Sequence, residues 1–225
     1  MNFISHYFLD RDKTSSFFFV GVSTPDLISN FDSRIRLKES KLPLIVENDA
    51  SEMELRFYQG VLRHFDVDKR FHSSQFFRQE TRYLSSTLKR TFPDDSVNRG
   101  FFVAHILLEL ILDRVLIRRH NELLFSFYKH FDKTEIDELV ALTEWVSQKK
   151  LPGYGEFLEK FAEKQFLYRY VDMRYLLRVI RKILNKVGIN QHDYIRKPQF
   201  LNLMHEYEAR LARLYEPAMK EFSYS

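Results

Sequence analysis

The sequence predicts an all-α protein, a helical bundle of about seven to nine helices in one domain spanning 1–225. Three observations predict it. Apolar residues recur every three or four positions through most of the chain, the spacing that gives a helix one buried face. Only six glycines interrupt 225 residues. Strand-like alternation shows only weakly, around 42–46.

The elements follow in order. A short helix is expected near 2–9, then an apolar run, Phe17 to Val22. Ser23-Thr24-Pro25-Asp26 reads as a helix start, because proline suits a first helical turn. Residues 32–50, with Pro43 and Asn48-Asp49, read as an irregular connection. Ser51 through about Phe92 is one long helix or two joined near Lys69–His72, and Pro93 to Gly100 ends it. An apolar helix runs from about 101 to 119, with a further one to 131. Thr134 is a candidate cap for a helix reaching about 149. After the turn Leu151-Pro-Gly-Tyr-Gly155, helices are expected near 156–170, 173–187 and 197–222, with Gly188 as a C-terminal cap. No repeat, low-complexity tract or dividing linker is visible.

Composition excludes several classes. At 44% hydrophobic and 29% charged, with 22 Phe and 12 Tyr, the chain can bury a large aromatic core. Without cysteine there are no disulfides, thiolate zinc sites or cysteine nucleophiles, a pattern that fits a reducing cytoplasm. The opening Met1 to Asp10 lacks a basic region, a long apolar run and a small-residue cleavage site. The most apolar span, Phe101 to Ile117, holds His105, Glu109, Asp113 and Arg114 and is a poor membrane helix. A net charge of +4 permits acidic partners, and no nucleic acid is expected. No Gly-x-Ser-x-Gly elbow, Walker loop or dinucleotide fingerprint occurs.

Two ladders carry the chemistry. His64, Asp68 and His72 lie at i, i+4 and i+8, as do His105, Glu109 and Asp113. On a helix that spacing lines three groups along one face, drifting about 40° per step. The second ladder is set among Phe101, Val103, Ile106, Leu107, Leu110 and Ile111, where a carboxylate is costly unless paired or bound to a metal. Two ladders of imidazoles and carboxylates suggest a divalent-metal site between two helices. First choices for its ligands are His64, Asp68, His105 and Glu109, followed by Asp26, His72 and Asp113. A thiolate-free set suits manganese, iron, zinc or magnesium. A spare group such as His6 or Asp113 would serve as general base or acid.

Plainer readings stand beside these. Glu109 could pair with a buried arginine, and Asp113 with Arg114 or Arg118. His64 and Asp68 could form a surface i,i+4 pair, and His72 could only begin a new helix turn. Asp26 could be a favourable charge at a helix start. A separate feature is the basic helix around 169–186, where Arg174, Arg178 and Lys182 share a face. It reads as a solvated cationic face or as a dock for an acidic or phosphorylated partner.

Three segments resemble the bacterial acyl carrier protein phosphodiesterase family, distant relatives of HD-type metal phosphohydrolases. Met1-Asn-Phe-Ile-Ser-His6 is similar to the family's opening Met-Asn-Phe-Leu-Ala-His. Phe19 to Asp26 sits where the family has an apolar segment ending in Gly-Asp, with Pro25 in place of the glycine. Gly60-Val-Leu-Arg-His64-Phe-Asp-Val-Asp68 resembles Gly-Ile-x-x-His-Arg-x-Ile-Asp, with Phe65 in place of the arginine. The family's later Asp-x-x-x-Asp-His helix corresponds to His105 to Leu110, and His72 stands where it carries another Asp. The resemblance covers about 1–130 and leaves 131–225 as helical completion or a cap. It implies an HD-like scaffold, manganese, and hydrolysis of the phosphodiester joining phosphopantetheine to a serine of acyl carrier protein.

Overall fold

The computed structural model describes residues 1–44, 50–93, 99–132, 136–190 and 192–223. Among them the chain is all-helical as expected, with ten α-helices, three short 3-10 turns and no strand. The weak alternation at 42–46 gives no strand over 42–44, and 45–46 lie outside the described residues. Thr134 as a cap falls outside them, as do 94–98 of the break read over 93–100, at whose ends one helix stops at Thr91 and the next starts at Gly100. No helix among the described residues is long and apolar enough to cross a membrane. The chain groups into two compact units, each sewn from two separated stretches of sequence.

The first unit comprises Met1–Lys69 and Glu122–Phe166. It holds α1 (Phe3–Asp10), α2 (Ser16–Phe31), α3 (Glu52–Ser73) up to Lys69, α6 (Leu123–Asp132), α7 (Ile136–Ser147) and α8 (Tyr154–Lys164). Helix α2 begins at Ser15, whose hydroxyl accepts from the Phe18 amide at 3.3 Å. The expected start at Thr24-Pro25 is therefore corrected: Pro25 lies inside α2. The apolar run from Phe17 continues at helical spacing through that proline, and buried packing offsets its lost hydrogen bond.

Helices α2 and α3 touch through backbone. A Cβ at Gly21 would stand 2.1 Å from the Phe57 carbonyl oxygen, and one at Gly60 would stand 2.1 Å from that of Phe18. Only two glycines permit that crossing. Buried Arg63, also on α3, donates to Asp10 of α1 at 2.8 Å. Phe3, Phe127, Phe131 and Phe161 fill the core, with centroids 5.6 Å apart for Phe3–Phe161 and 5.0 Å for Phe131–Phe161. The helix expected over 156–170 ends at Lys164 because Gln165 turns left-handed at φ 43°, and a 3-10 turn, Phe166–Val171, follows.

The second unit comprises Arg70–Asn121 and Leu167–Ser225. It holds the last turn of α3, α4 (Gln75–Thr91), α5 (Gly100–Arg119), α9 (Met173–Lys186) and α10 (Pro198–Phe222). Of the two readings of 51–92, the structure has two helices, joined at Ser74 just past the expected Lys69–His72; the Ser74 hydroxyl caps α4 by accepting from the Phe77 amide at 3.0 Å. Helix α5 is central, packed by α4, α9 and α10, which is why its apolar residues surround it instead of forming a stripe. Its buried arginine, Arg114, and the half-exposed Arg118 both bind Glu208 of α10, at 3.0 and 2.6 Å. Helix α9 buries Met173, Leu176, Ile180 and Leu184. It ends as expected at Gly188, at φ 78°, with Gly188 N–H on Asn185 O at 3.0 Å and Ile189 N–H on Leu184 O at 2.9 Å.

Candidate metal centres

Of the residues read as ligands, His64 and Asp68 belong to the first unit and His105 and Glu109 to the second. The structure gathers a ligand group in each.

In the first unit, His6 of α1, Asp26 of α2 and His64 of α3 bring one ligand atom each within 4.8 Å of one another. The Gly21–Gly60 crossing brings α2 and α3 together one helical turn before Asp26 and His64. The His6 and His64 rings stack 4.1 Å apart at 23°. Both are buried, at 1% and 6% exposure. His64 Nδ1 lies 2.9 Å from the Val22 carbonyl oxygen. A carbonyl only accepts, so Nδ1 carries the proton and the neutral ring has its lone pair on Nε2. A backbone carbonyl that fixes the tautomer in this way is the usual partner of a metal-binding histidine. Asp68 stands beside this group: its Oδ1 lies 3.9 Å from His6 Nε2 and accepts from the Met1 α-ammonium at 2.6 Å.

In the second unit, His72 closes α3 while His105 and Glu109 sit one turn apart on α5. Their three ligand atoms form a small triangle. His72 Nε2 lies 2.9 Å from His105 Nε2, His105 Nε2 lies 2.8 Å from Glu109 Oε1, and His72 Nε2 lies 3.4 Å from the same oxygen. Ligands about 2.1 Å from an ion stand about 3.0 Å apart at neighbouring corners of an octahedron and about 3.4 Å apart on a tetrahedron. The triangle spans that range. One in-plane position on His105 Nε2 holds either a proton or a lone pair, so a proton cannot serve all three edges as a cation does. Two imidazoles and one carboxylate on one side of a centre make the facial arrangement used for first-row divalent ions.

The rings are held by aromatic edges. Phe77 meets His72 at 4.9 Å and His105 at 5.0 Å, and Phe71 meets His72 at 5.2 Å. Burial works to raise the Glu109 carboxyl, but positive charge and hydrogen bonds from His105 and His72 hold it well below the usual carboxylate range. It is therefore an anion at neutral pH. Side-chain exposures of 31%, 25% and 19% for His72, His105 and Glu109 leave this group reachable from solvent.

The other expected residues fall as follows. Asp113 is fully buried one turn beyond Glu109. His64 is buried and so is not the surface ion pair that its spacing with Asp68 allows. Arg174, Arg178 and Lys182 are exposed along α9, beside Arg169 stacked 4.1 Å over Tyr175. Sequence reading missed the Arg114–Glu208–Arg118 cluster, since Glu208 lies 94 positions from Arg114 with no local signal to join them. That cluster borders a cavity of about 440 Å³ between α5 and α10, lined by Val115, Arg118, His205, Glu208, Ala209 and Ala212 and separate from the triangle. No protein-family model matches the chain, and no curated protein or solved structure is detectably similar to it.

Proposed function

We propose that the protein is a divalent-metal-dependent phosphodiester hydrolase whose catalytic ion is held by His72, His105 and Glu109. The observation that carries the reading is the triangle of two imidazole nitrogens and one carboxylate oxygen, 2.8 to 3.4 Å on its edges and open to solvent. Centres that keep coordination positions open are the catalytic kind, and closed ones are structural. The group of His6, Asp26 and His64, with both imidazoles buried and Asp26 half-buried, is the more enclosed of the two, and we assign it the structural ion. The resemblance adds support from another direction, because its three N-terminal motifs supply those three residues.

A bound manganese, iron or zinc ion would acidify water and polarise a phosphoryl oxygen, so that no protein nucleophile is needed. Glu109 supplies the negative charge that holds a cation, and the two imidazoles bind it as neutral donors. Phe71 and Phe77 restrain both rings, which keeps the donors oriented without metal. The exposed cations Arg174, Arg178 and Lys182 are the candidate dock for an acidic carrier protein or another phosphorylated substrate, where charge mainly speeds encounter.

Elemental analysis of untagged protein purified without chelator tests the reading first, followed by hydrolysis of bis(4-nitrophenyl) phosphate and release of phosphopantetheine from acyl carrier protein. Near-stoichiometric metal, with hydrolysis abolished in His105→Ala and Glu109→Gln, is the expected result. A protein that stays metal-free in added manganese sinks it. A metal-loaded protein inert on every diester would instead be a helical binding protein without catalysis.

A further inference from the structure

We infer that the His72–His105–Glu109 centre takes phosphoesters bearing an apolar substituent, which Phe101 and Phe102 receive at its mouth. The inference rests on the metal reading above and extends it to substrate class. Along α5, every apolar residue described from Val103 to Ile117 is at most 8% exposed. Phe101 and Phe102, on the first turn of the same helix, are 54% and 36% exposed. The apolar surface that α5 shows to solvent is thus confined to the end that carries His105.

These rings connect to the ligands. The Phe102 ring lies 6.1 Å from the His105 imidazole at 77°, an edge-on contact. Phe101 lies 6.2 Å from Phe77 at 80°, and Phe77 in turn packs edge-on against both His105 and His72. Aromatic surface therefore runs from solvent to the two imidazoles without a charged side chain in the series. A phosphoryl group at the open side of the centre lays its ester substituent along that surface. An apolar substituent gains by leaving water there, and an anionic one finds no partner in the rings. Aryl and alkyl groups share this chemistry.

The test is calorimetric binding of methyl-, hexyl- and phenylphosphonate to the manganese-loaded full chain. Hexyl- or phenylphosphonate, or both, should bind at least about tenfold tighter than methylphosphonate, the order expected when several apolar carbons leave water. A preference for phenyl over hexyl identifies a flat aromatic substituent, and the reverse identifies an alkyl chain. Phe101→Ser with Phe102→Ser should erase the preference and leave manganese content and methylphosphonate affinity unchanged. Phe101→Ser alone, at the more exposed position, should erase part of it. Equal affinity for all three phosphonates, or a preference that survives in the double variant, overturns the inference. Failure of the metal reading is distinct: His105→Ala then leaves manganese uptake unchanged, and none of the phosphonates binds.

Discussion

Substituting Gly60 by Ala tests how the first metal group is assembled. A Cβ there would lie 2.1 Å from the Phe18 carbonyl oxygen and 2.8 Å from the Val22 amide nitrogen, both backbone atoms of α2. Ordinary C···O contact is about 3.4 Å, so the helices must part by about 1.3 Å at this point. Overpacking by one methyl costs about 1–3 kcal/mol, and rigid backbone puts this case near 3. Alanine returns about 0.5–1 kcal/mol through its better helix propensity. The net loss is about 2–2.5 kcal/mol, or about 4–10 °C in melting temperature for a chain of this size. Gly153→Ala is the control: nothing lies within 4 Å of its Cβ, and only its φ of +83° resists. That strain costs about 1 kcal/mol, or about 2–4 °C. Thermal melts followed by circular dichroism in chelator compare the two. Parting α2 from α3 also draws the Val22 carbonyl away from His64 Nδ1, so manganese uptake by the first group should weaken as well. A Gly60→Ala protein that melts no lower than Gly153→Ala would refute the close crossing.

Other predictions concern different parts of the molecule. Glu208→Ala leaves the buried Arg114 guanidinium without its carboxylate and should cost about 3–5 kcal/mol in denaturant titrations; leucine at both 114 and 208 should restore most of it. His105→Ala should weaken manganese binding in the second unit by more than the roughly 10–100-fold typical of losing an outer partner, as read by metal titration. His205→Ala, exposed and outside both groups, should leave that titration unchanged. The side-chain hydrogen bond from Arg34, and then its backbone amide, pull the Asp32 carboxyl down to about 2. A lowered folded value means the contact stabilises above the unfolded value of 3.8 and is lost as pH falls through about 2. Carboxyl NMR should find that low midpoint, and Arg34→Ala should return it towards 3.8; a wild-type midpoint near 3.8 would refute the contact.

Helical identity was legible because it depends on short-range spacing. The boundaries at Ser74 and Gly188 follow from a hydroxyl that caps an amide and a glycine that turns left-handed. The start expected at Pro25 failed for the complementary reason. A proline signal is local, while the Phe17-to-Leu27 face was held in one helix by what packs on it. No linker marked the two units because the chain crosses between them inside α3, at 69/70, and again at 121/122 and 166/167.

The candidate ligands were legible as residue types at helical spacing. The i,i+4 rule links His105 to Glu109 and leaves open which third group joins them. That choice went to His72 from another helix, at 2.9 Å, while His64 joined His6 and Asp26.

By itself, the sequence determined that this chain is helical, where most of its helices run, and which imidazoles and carboxylates lie on their faces, since each depends on neighbours within a few positions. Tertiary structure alone decided which of those groups meet. Contacts such as Gly21 on Phe57 or Arg114 on Glu208 join residues 36 and 94 positions apart, and packing of whole helices sets them, with no local pattern to announce them.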